Sequence, residues 1–489
     1  MKARTWAITL GTLTGLGIFA ACSLDLDESL IPSEAGVGGG SAGASGSGGA
    51  SGSGGNGGTG GKVIDSGVAC DADPQCTSDA GCLEGRCATG GVCVFEICPV
   101  TTACTARSCD TTQGTCSSAA SFTFKANTLT FDDDVGCGGV ASRCIAGMDD
   151  FVFVGTTGGL SAYRVLSPAE PEVITVEAPP FAITRLVPTE KRLIMLGPIA
   201  ANKLSIAWID LPSDPLATSL STSTAAVNFT DSYDFALPSG AENFFLIKND
   251  AGALYPTALL APPLTSQTAV TFYPAAGLPS GPAVVASSGT RLVTYRTDTS
   301  QGPQTPAFGF IASAGTSNAQ GSSSEQTFNF EVPTSTSAHR FTSGYEGSVL
   351  WGTNRLTKED GGPLEADAAV LYWPLVGTAT TLDSTPNVVV ASYNKSGPNS
   401  VWAGPSALVS PTLAITTVAY PPDPQQTQVR SVVRSGTTLS LGTESPAPVL
   451  SFNINQIGVA ASRRFGFILT PSSQSPTLKT TLHIFAPGC

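Results

Sequence analysis

His339 and His483 are the only two histidines in the chain, so imidazole chemistry must use one of them. A Ser-His-Asp nucleophile needs a histidine beside an activated serine. Neither histidine sits in a recognisable motif, and His483 falls in the alternating stretch TLHIF, which reads as a strand. A structural or surface role is the plainer reading of both. Gly39-Gly40-Ser41-Ala42-Gly43 matches G-x-S-x-G, but it lies in a glycine tract. A nucleophile elbow needs a strand before it and a helix after it. Two histidines also leave a multi-histidine zinc site short of ligands. Asp132-Asp133-Asp134 and Asp149-Asp150 offer oxygens for calcium, without EF-hand spacing, and solvated acidic turns explain them as well. Glu331, Glu346 and Glu365 are acids of the kind glycoside hydrolysis pairs, and nothing singles them out. No catalytic residue, metal site or cofactor is expected from these residues.

The cysteines carry more information. There are 13, at Cys22, Cys70, Cys76, Cys82, Cys87, Cys93, Cys98, Cys104, Cys109, Cys116, Cys137, Cys144 and Cys489. Without Cys22 they are even in number, which suits disulfides in an oxidising compartment. From Cys76 to Cys116 the spacing is C-x5-C-x4-C-x5-C-x4-C-x5-C-x4-C-x6-C, a near-repeat with two copies of four cysteines. Gly81, Gly85, Gly90 and Gly91 supply turns between bridges. So short a segment cannot build a core, and disulfides must hold it. The stretch CTSDAGCLEGRCATGGVCV resembles small EGF-like or Dickkopf-like modules of secreted proteins. A receptor-like binding module and a rigid collar both fit, the collar better.

Spacing does not fix connectivity. Repeating one pattern would pair Cys76 with Cys87, Cys82 with Cys93, Cys98 with Cys109 and Cys104 with Cys116. Cys137 and Cys144 would form a local pair, and Cys70 would be left for Cys489.

Lys2 and Arg4 precede an apolar stretch that runs to Ala21, and Ala20-Ala21 precede Cys22. A basic start, an apolar segment and small residues before a cut site make a secretory signal. With a cysteine next, the segment resembles the lipobox of bacterial lipoproteins. That resemblance implies that Cys22 becomes an acylated, palmitate-bearing N-terminus. Several acyl chains on one residue hold a protein stably to a membrane. Ser23 rather than aspartate follows the cysteine, which by the same resemblance permits outer-membrane delivery. The stretch is too short and glycine-rich for a membrane span.

Composition bounds the rest. The chain has 489 residues, only 12% of them charged, and a net charge of −13. Without clustered Lys and Arg, nucleic acid is excluded as a partner. Gly36 to Gly61 is almost wholly Gly, Ser and Ala, and cannot bury enough apolar surface to fold. About 40 such residues reach roughly 35 Å as a flexible coil.

From about Ser121 short runs of Val, Ile, Phe, Tyr and Thr alternate with Gly, Pro, Ser and Asp turns, with no sustained helical period. A loose unit recurs: an apolar strand, a turn, then a strand with an aromatic. Its copies begin at Phe151, Arg192, Asn243, Arg291, Ser348, Ser400 and Arg463, spaced by 41, 51, 48, 57, 52 and 63 residues. A period of about 40–50 residues with several strands each predicts a β-propeller. Tyr163, Trp208, Tyr255 and Tyr372 are expected between blades. One or two β-sandwiches are the competing fold.

The expectation is therefore an all-β chain: signal peptide 1–21, lipid anchor and disordered tether 22–66, cysteine-rich disulfide module 67–118, and a seven-bladed β-propeller over 119–489. Its expected role is a lipid-anchored cell-envelope protein, in the outer membrane, that binds an extracellular or periplasmic protein or glycan without turnover. The alternatives are a propeller enzyme acting on polysaccharide, as glycosidase or lyase, and a structural envelope protein without a ligand.

Overall fold

The computed structural model describes residues 69–485 with interruptions, most completely over 126–274 and 456–485. The expected signal and tether lie outside the described residues, as do Cys22, Cys98, Cys104, Cys489, His339, Tyr255, Glu331, Glu346 and Glu365.

The cysteine-rich segment forms short antiparallel pairs, as a chain without a core must. β1 (Leu83–Cys87) pairs with β2 (Cys93–Ile97), placing Cys87 opposite Cys93. β3 (Thr105–Ala106) pairs with β6 (Ala120–Ser121), and β4 (Cys109–Asp110) with β5 (Thr115–Cys116). The disulfides correct the expected pattern. Cys70 bonds Cys87, and Cys76 bonds Cys93, each across 17 residues. The pairs 76–87, 82–93 and 70–489 therefore do not form. The local pair Cys137–Cys144 does form, with Cα atoms 5.8 Å apart. Cys82 and Cys116 are also disulfide-bonded. The expected pairs 98–109 and 104–116 involve Cys98 and Cys104, outside the described residues.

β7 (Ala126–Phe131) follows, and then the strands run in radial sheets. The first sheet is β8 (Ile145–Met148), β9 (Phe151–Thr156), β10 (Gly159–Arg164) and β11 (Glu172–Val176). The second is β12 (Arg185–Pro188), β13 (Arg192–Ala200), β14 (Lys203–Asp210) and β16 (Ser223–Asn228). Between β14 and β16 in sequence, β15 (Ser219–Leu220) crosses back to pair in parallel with β11. β17 (Phe235–Ser239), β18 (Asn243–Ile247) and β19 (Thr257–Leu260) form a three-stranded sheet. β20 (Ala283–Ser288), β21 (Arg291–Thr297), β22 (Pro306–Ala312) and β23 (Gln320–Glu325) form the next. β24 (Arg340–Ser343), β25 (Ser348–Thr353), β26 (Ala368–Pro374) and β27 (Asn387–Ala391) follow. Then come β28 (Trp402–Ser410), β29 (Leu413–Ala419), β30 (Gln426–Ser435), β31 (Thr438–Leu441) and β32 (Val449–Ser451), both β31 and β32 lying on β30. The last sheet is β33 (Gly458–Ala461), β34 (Gly466–Thr470) and β35 (Thr480–Phe485), with β7 as its fourth strand.

Apart from β15, each of these sheets is an antiparallel meander, and its first strand lies innermost. The innermost strands touch in turn: β8, β12, β17, β20, β24, β28, β33 and back to β8. This is a β-propeller, not a sandwich. Five of its sheets are complete four-stranded meanders drawn from a single stretch of chain, those beginning with β8, β12, β20, β24 and β28. The sheet of β17 has three strands, and that of β33 borrows β7 from the N-terminal side.

The core sits between sheets. Phe467, Leu469 and Ile484 pack with Phe153, Val154 and Ile145 across the junction of the last and first sheets. Trp208 packs with Phe244 and Leu246 of the following sheet. Tyr163 meets Phe131 of β7 edge to face, with ring centroids 6.1 Å apart. Both aromatics thus lie between blades, as expected from sequence. Full burial of a large apolar side chain such as Phe153 or Phe244 contributes about 1.5–3 kcal/mol. Among the described residues no helix is long and apolar enough to cross a membrane.

Candidate functional site

A propeller presents two faces. On one, here the return face, turns join each innermost strand to the second. On the other, the entry face, the chain passes into the innermost strands. The charged groups divide between them.

On the return face, Asp150 lies in the β8–β9 turn and is 2% exposed. Arg463 and Arg464, in the β33–β34 turn, hold it. Arg463 Nη2 lies 2.7 Å from Oδ2, and Arg464 Nε lies 2.7 Å from Oδ1. Arg463 Nε also reaches Asp149 at 2.9 Å. Burial pushes the Asp150 pKa up, but the charges and hydrogen bonds of the two guanidinium groups outweigh it and hold the carboxyl far below its usual range. A carboxylate so occupied is a bolt between the last and first sheets, not a calcium ligand or a solvated turn. The neighbouring turns repeat the device. Arg192 pairs with Asp210, donates to the Pro262 carbonyl at 2.9 Å and faces Glu242 of the next sheet at 3.9 Å.

The cysteine-rich module docks on this same face. Cys82 and Leu83 pack with Leu166, just after β10, and Leu216, between β14 and β15. The sulfurs of Cys70, Cys76 and Cys93 lie within 4.8 Å of one another, but all three are in disulfides and offer no thiolate to a metal.

On the entry face the chain leaves β7 through Asp132-Asp133-Asp134, an exposed turn in which Asp132 pairs with Lys479. That pairing lowers the Asp132 pKa. The expectation of a solvated acidic turn holds for this triplet. A loop then crosses to β8. Gly138 and Gly139 take φ of 66° and 80°, which a side chain would resist. Cys137–Cys144 closes the loop, and the Cys137 amide donates to the Ile183 carbonyl at 3.1 Å, before the second sheet. A Cβ on Gly458 would lie 2.4 Å from the Ala141 carbonyl of this loop, so the last sheet touches it too. The loop is pinned to three sheets.

Arg143 is carried by this loop. Its Nε is buried without a hydrogen-bond partner, and among the described residues no carboxylate forms an ion pair with its guanidinium. Burial lowers its pKa, and the Tyr233 hydroxyl works against that shift. Tyr233 stands two residues before β17, so the side chain reaches past the second sheet to the third. Arg185, the first residue of β12, donates to the Asp234 carbonyl at 3.2 Å. Sequence reasoning missed this cluster. Its members are spread over 92 positions, from Arg143 to Asp234, and only the ring brings them together.

Below the mouth, β8, β12, β17 and β33 are buried along their whole length. A Cβ on Gly147 of β8 would lie 2.1 Å from the Ala461 carbonyl of β33. The inner wall is closely packed there.

His483 takes no part in any of this. It lies in β35 with its ring stacked on Phe485 at 6.2 Å, and its Nε2 is 3.3 Å from Thr470 Oγ1. Burial lowers its pKa to about 4.

No protein-family profile and no curated protein matches the chain. Solved structures do. A Synechocystis apocarotenoid oxygenase mutant is 11% identical, with 64% of this chain and 72% of that one covered and a TM-score of 0.36. The hydrazine synthase of Kuenenia stuttgartiensis is 10% identical, covering 70% and 94%, with a TM-score of 0.36. The β-propeller domain of the trilobed protease from Pyrococcus furiosus is 7% identical, covering 70% and 95%, with a TM-score of 0.37. Similarities this distant carry no functional argument.

Proposed function

We propose that this chain is a bacterial cell-envelope lipoprotein whose propeller binds an extracellular or periplasmic ligand without turnover. A lipid on Cys22 anchors it to the outer membrane, residues 22–66 tether it, and the EGF-like or Dickkopf-like module of 67–118 acts as a collar. The propeller of 119–489 counts seven blades, with the three-stranded sheet and the sheet closed by β7 taken as blades too. The cyclic succession of innermost strands supports that count.

The observation that carries the reading is where the module sits. It packs on the return face through Leu166 and Leu216, and β7 starts beside Phe485 on that same face. A tether entering through the module therefore holds the return face toward the membrane. The entry face, with its pinned loop, is turned outward.

The test is mass spectrometry and detergent phase partition of the full chain from a bacterial host, beside Cys22→Ser. Acylated N-terminal peptide and detergent-phase protein are expected, with the variant in the aqueous phase. An unmodified wild-type Cys22, or wild-type protein in the aqueous phase, would refute the anchor.

A further inference from the structure

We propose that the channel mouth on the entry face binds an oxyanion group of an anionic carbohydrate, with Arg143 as its principal donor. The proposal deepens the ligand-binding reading and rests on the display reading only for which face is presented.

Three observations carry it. The first is that Arg143 has a buried Nε without a partner and no acid among the described residues to pair with. Buried polar groups are normally satisfied, so an orphan fixed in place is explained by a partner that arrives later. Arginine keeps its charge under such burial and presents a planar fork suited to carboxylate or sulfate. The second is rigidity. The Cys137–Cys144 disulfide and the amide of Cys137 on Ile183 hold the loop before any ligand comes. Binding therefore costs little ordering entropy.

The third is charge segregation. The whole chain carries −13, yet Arg143 and Arg185 stand together at the entries to β8 and β12. Tyr233 and the Asp234 carbonyl, which Arg185 occupies, lie beside them, and acids on the same face include Asp132, Asp133 and Asp134 on the turn after β7, where Asp132 pairs with Lys479, and Asp231, which pairs with Lys248. A local cationic spot in an acidic protein selects an anionic group at close range.

A carbohydrate fits better than a protein. Protein interfaces centre on exposed aromatic and apolar side chains. The exposed large apolar residues among those described, Val173, Ile199 and Leu259, lie on β11, β13 and β19, not on the innermost strands.

The experiment is calorimetric titration of the purified full chain in detergent at about 0.15 M salt, where distant charges are screened. The probes are polygalacturonate, dextran sulfate, neutral dextran and polyglutamate. Wild type is expected to bind one or both anionic polysaccharides and not dextran. Arg143→Gln is expected to weaken that binding about tenfold or more, the size of a charge-assisted hydrogen bond. Arg143→Lys should retain part of it. Lys191→Gln, exposed on the return face, should change it less than about twofold. Because Arg143 has no ion-pair partner among the described residues, Arg143→Gln should melt at the wild-type temperature or above.

Binding that ignores Arg143→Gln, equal losses in Arg143→Gln and Lys191→Gln, or no binding to either anionic polysaccharide would overturn the proposal. Polyglutamate binding alone with the same Arg143 dependence would replace the carbohydrate with an acidic peptide. A lower melting temperature in Arg143→Gln with binding intact would make the residue structural. None of these outcomes touches acylation of Cys22, which is measured separately.

Discussion

Asp150 is withdrawn from water and meets two guanidinium groups, so its charge is tied to folding. Its folded pKa is depressed, and its contribution is therefore full above the unfolded value of about 4 and lost as pH falls below it. His483 works in a different window. Its folded pKa of about 4 lies below the unfolded value of about 6.5. Its contribution is full above about pH 6.5 and is lost as pH falls toward 4, at up to about 1.4 kcal/mol per pH unit. Urea unfolding between pH 7 and pH 3 should show both losses. His483→Gln should flatten the upper window alone. Asp150→Ala should cost about 3–5 kcal/mol at pH 7, because the buried Arg464 guanidinium loses this carboxylate while the less buried Arg463 keeps Asp149. An unchanged slope between pH 6.5 and 4 in His483→Gln would refute the first assignment. The strand role of His483 was legible in TLHIF. The role of Asp150 was not, because its partner Arg464 stands 314 residues away.

The same limit governs the elements. The recurring unit in the sequence is the pair of middle strands. The copies begun at Phe151, Arg192, Asn243, Arg291 and Ser348 coincide with the first residues of β9, β13, β18, β21 and β25. β9, β13 and β18 are buried over most of their length, so their apolar runs stand out. Innermost strands such as β8, β12 and β33 have only four residues and carry no period of their own. The copy begun at Ser400 accordingly fell on the innermost strand β28, one strand early. The disulfides were misread for a related reason. Repeating the spacing put bonds within each copy, whereas the β1–β2 hairpin sets Cys87 opposite Cys93 and sends each back to Cys70 and Cys76. The entry-face loop was legible only as a local pair of cysteines. Its structural contribution can be measured. Replacing Cys137 and Cys144 by serine opens a loop with a separation of 7 residues, which should cost about 2–3 kcal/mol by loop-closure entropy. Thermal unfolding of the double variant checks this, and a melting temperature equal to wild type would show that packing against Ile183 and Gly458 holds the loop unaided.

At the scale of the molecule, the chain closes its ring with a strand that precedes all the others. β7 pairs with β35 over six residues, from Phe131 opposite Thr480 to Ala126 opposite Phe485, so the first and last parts of the propeller share a sheet. The module lies just before β7 and rests on the face where β7 begins. Docking and ring closure are then separate layers, one held by a small apolar contact and the other by a full sheet edge and the Asp150 bolt. Leu166, 6% exposed, is the propeller's main contribution to the docking contact. Leu166→Asp places an unpaired carboxylate against Cys82 and Leu83, at a cost of several kcal/mol if the contact persists. The cheaper response is for the module to lift away, because its own disulfides keep it folded. The variant should therefore keep the melting temperature of the propeller within a few degrees of wild type, while proteases cut between the module and β7 at a markedly higher rate. If the propeller's melting temperature fell with the loss of docking, the module would be part of the ring's closure, and the collar would be a clamp on the propeller rather than a mount that sets which face it presents.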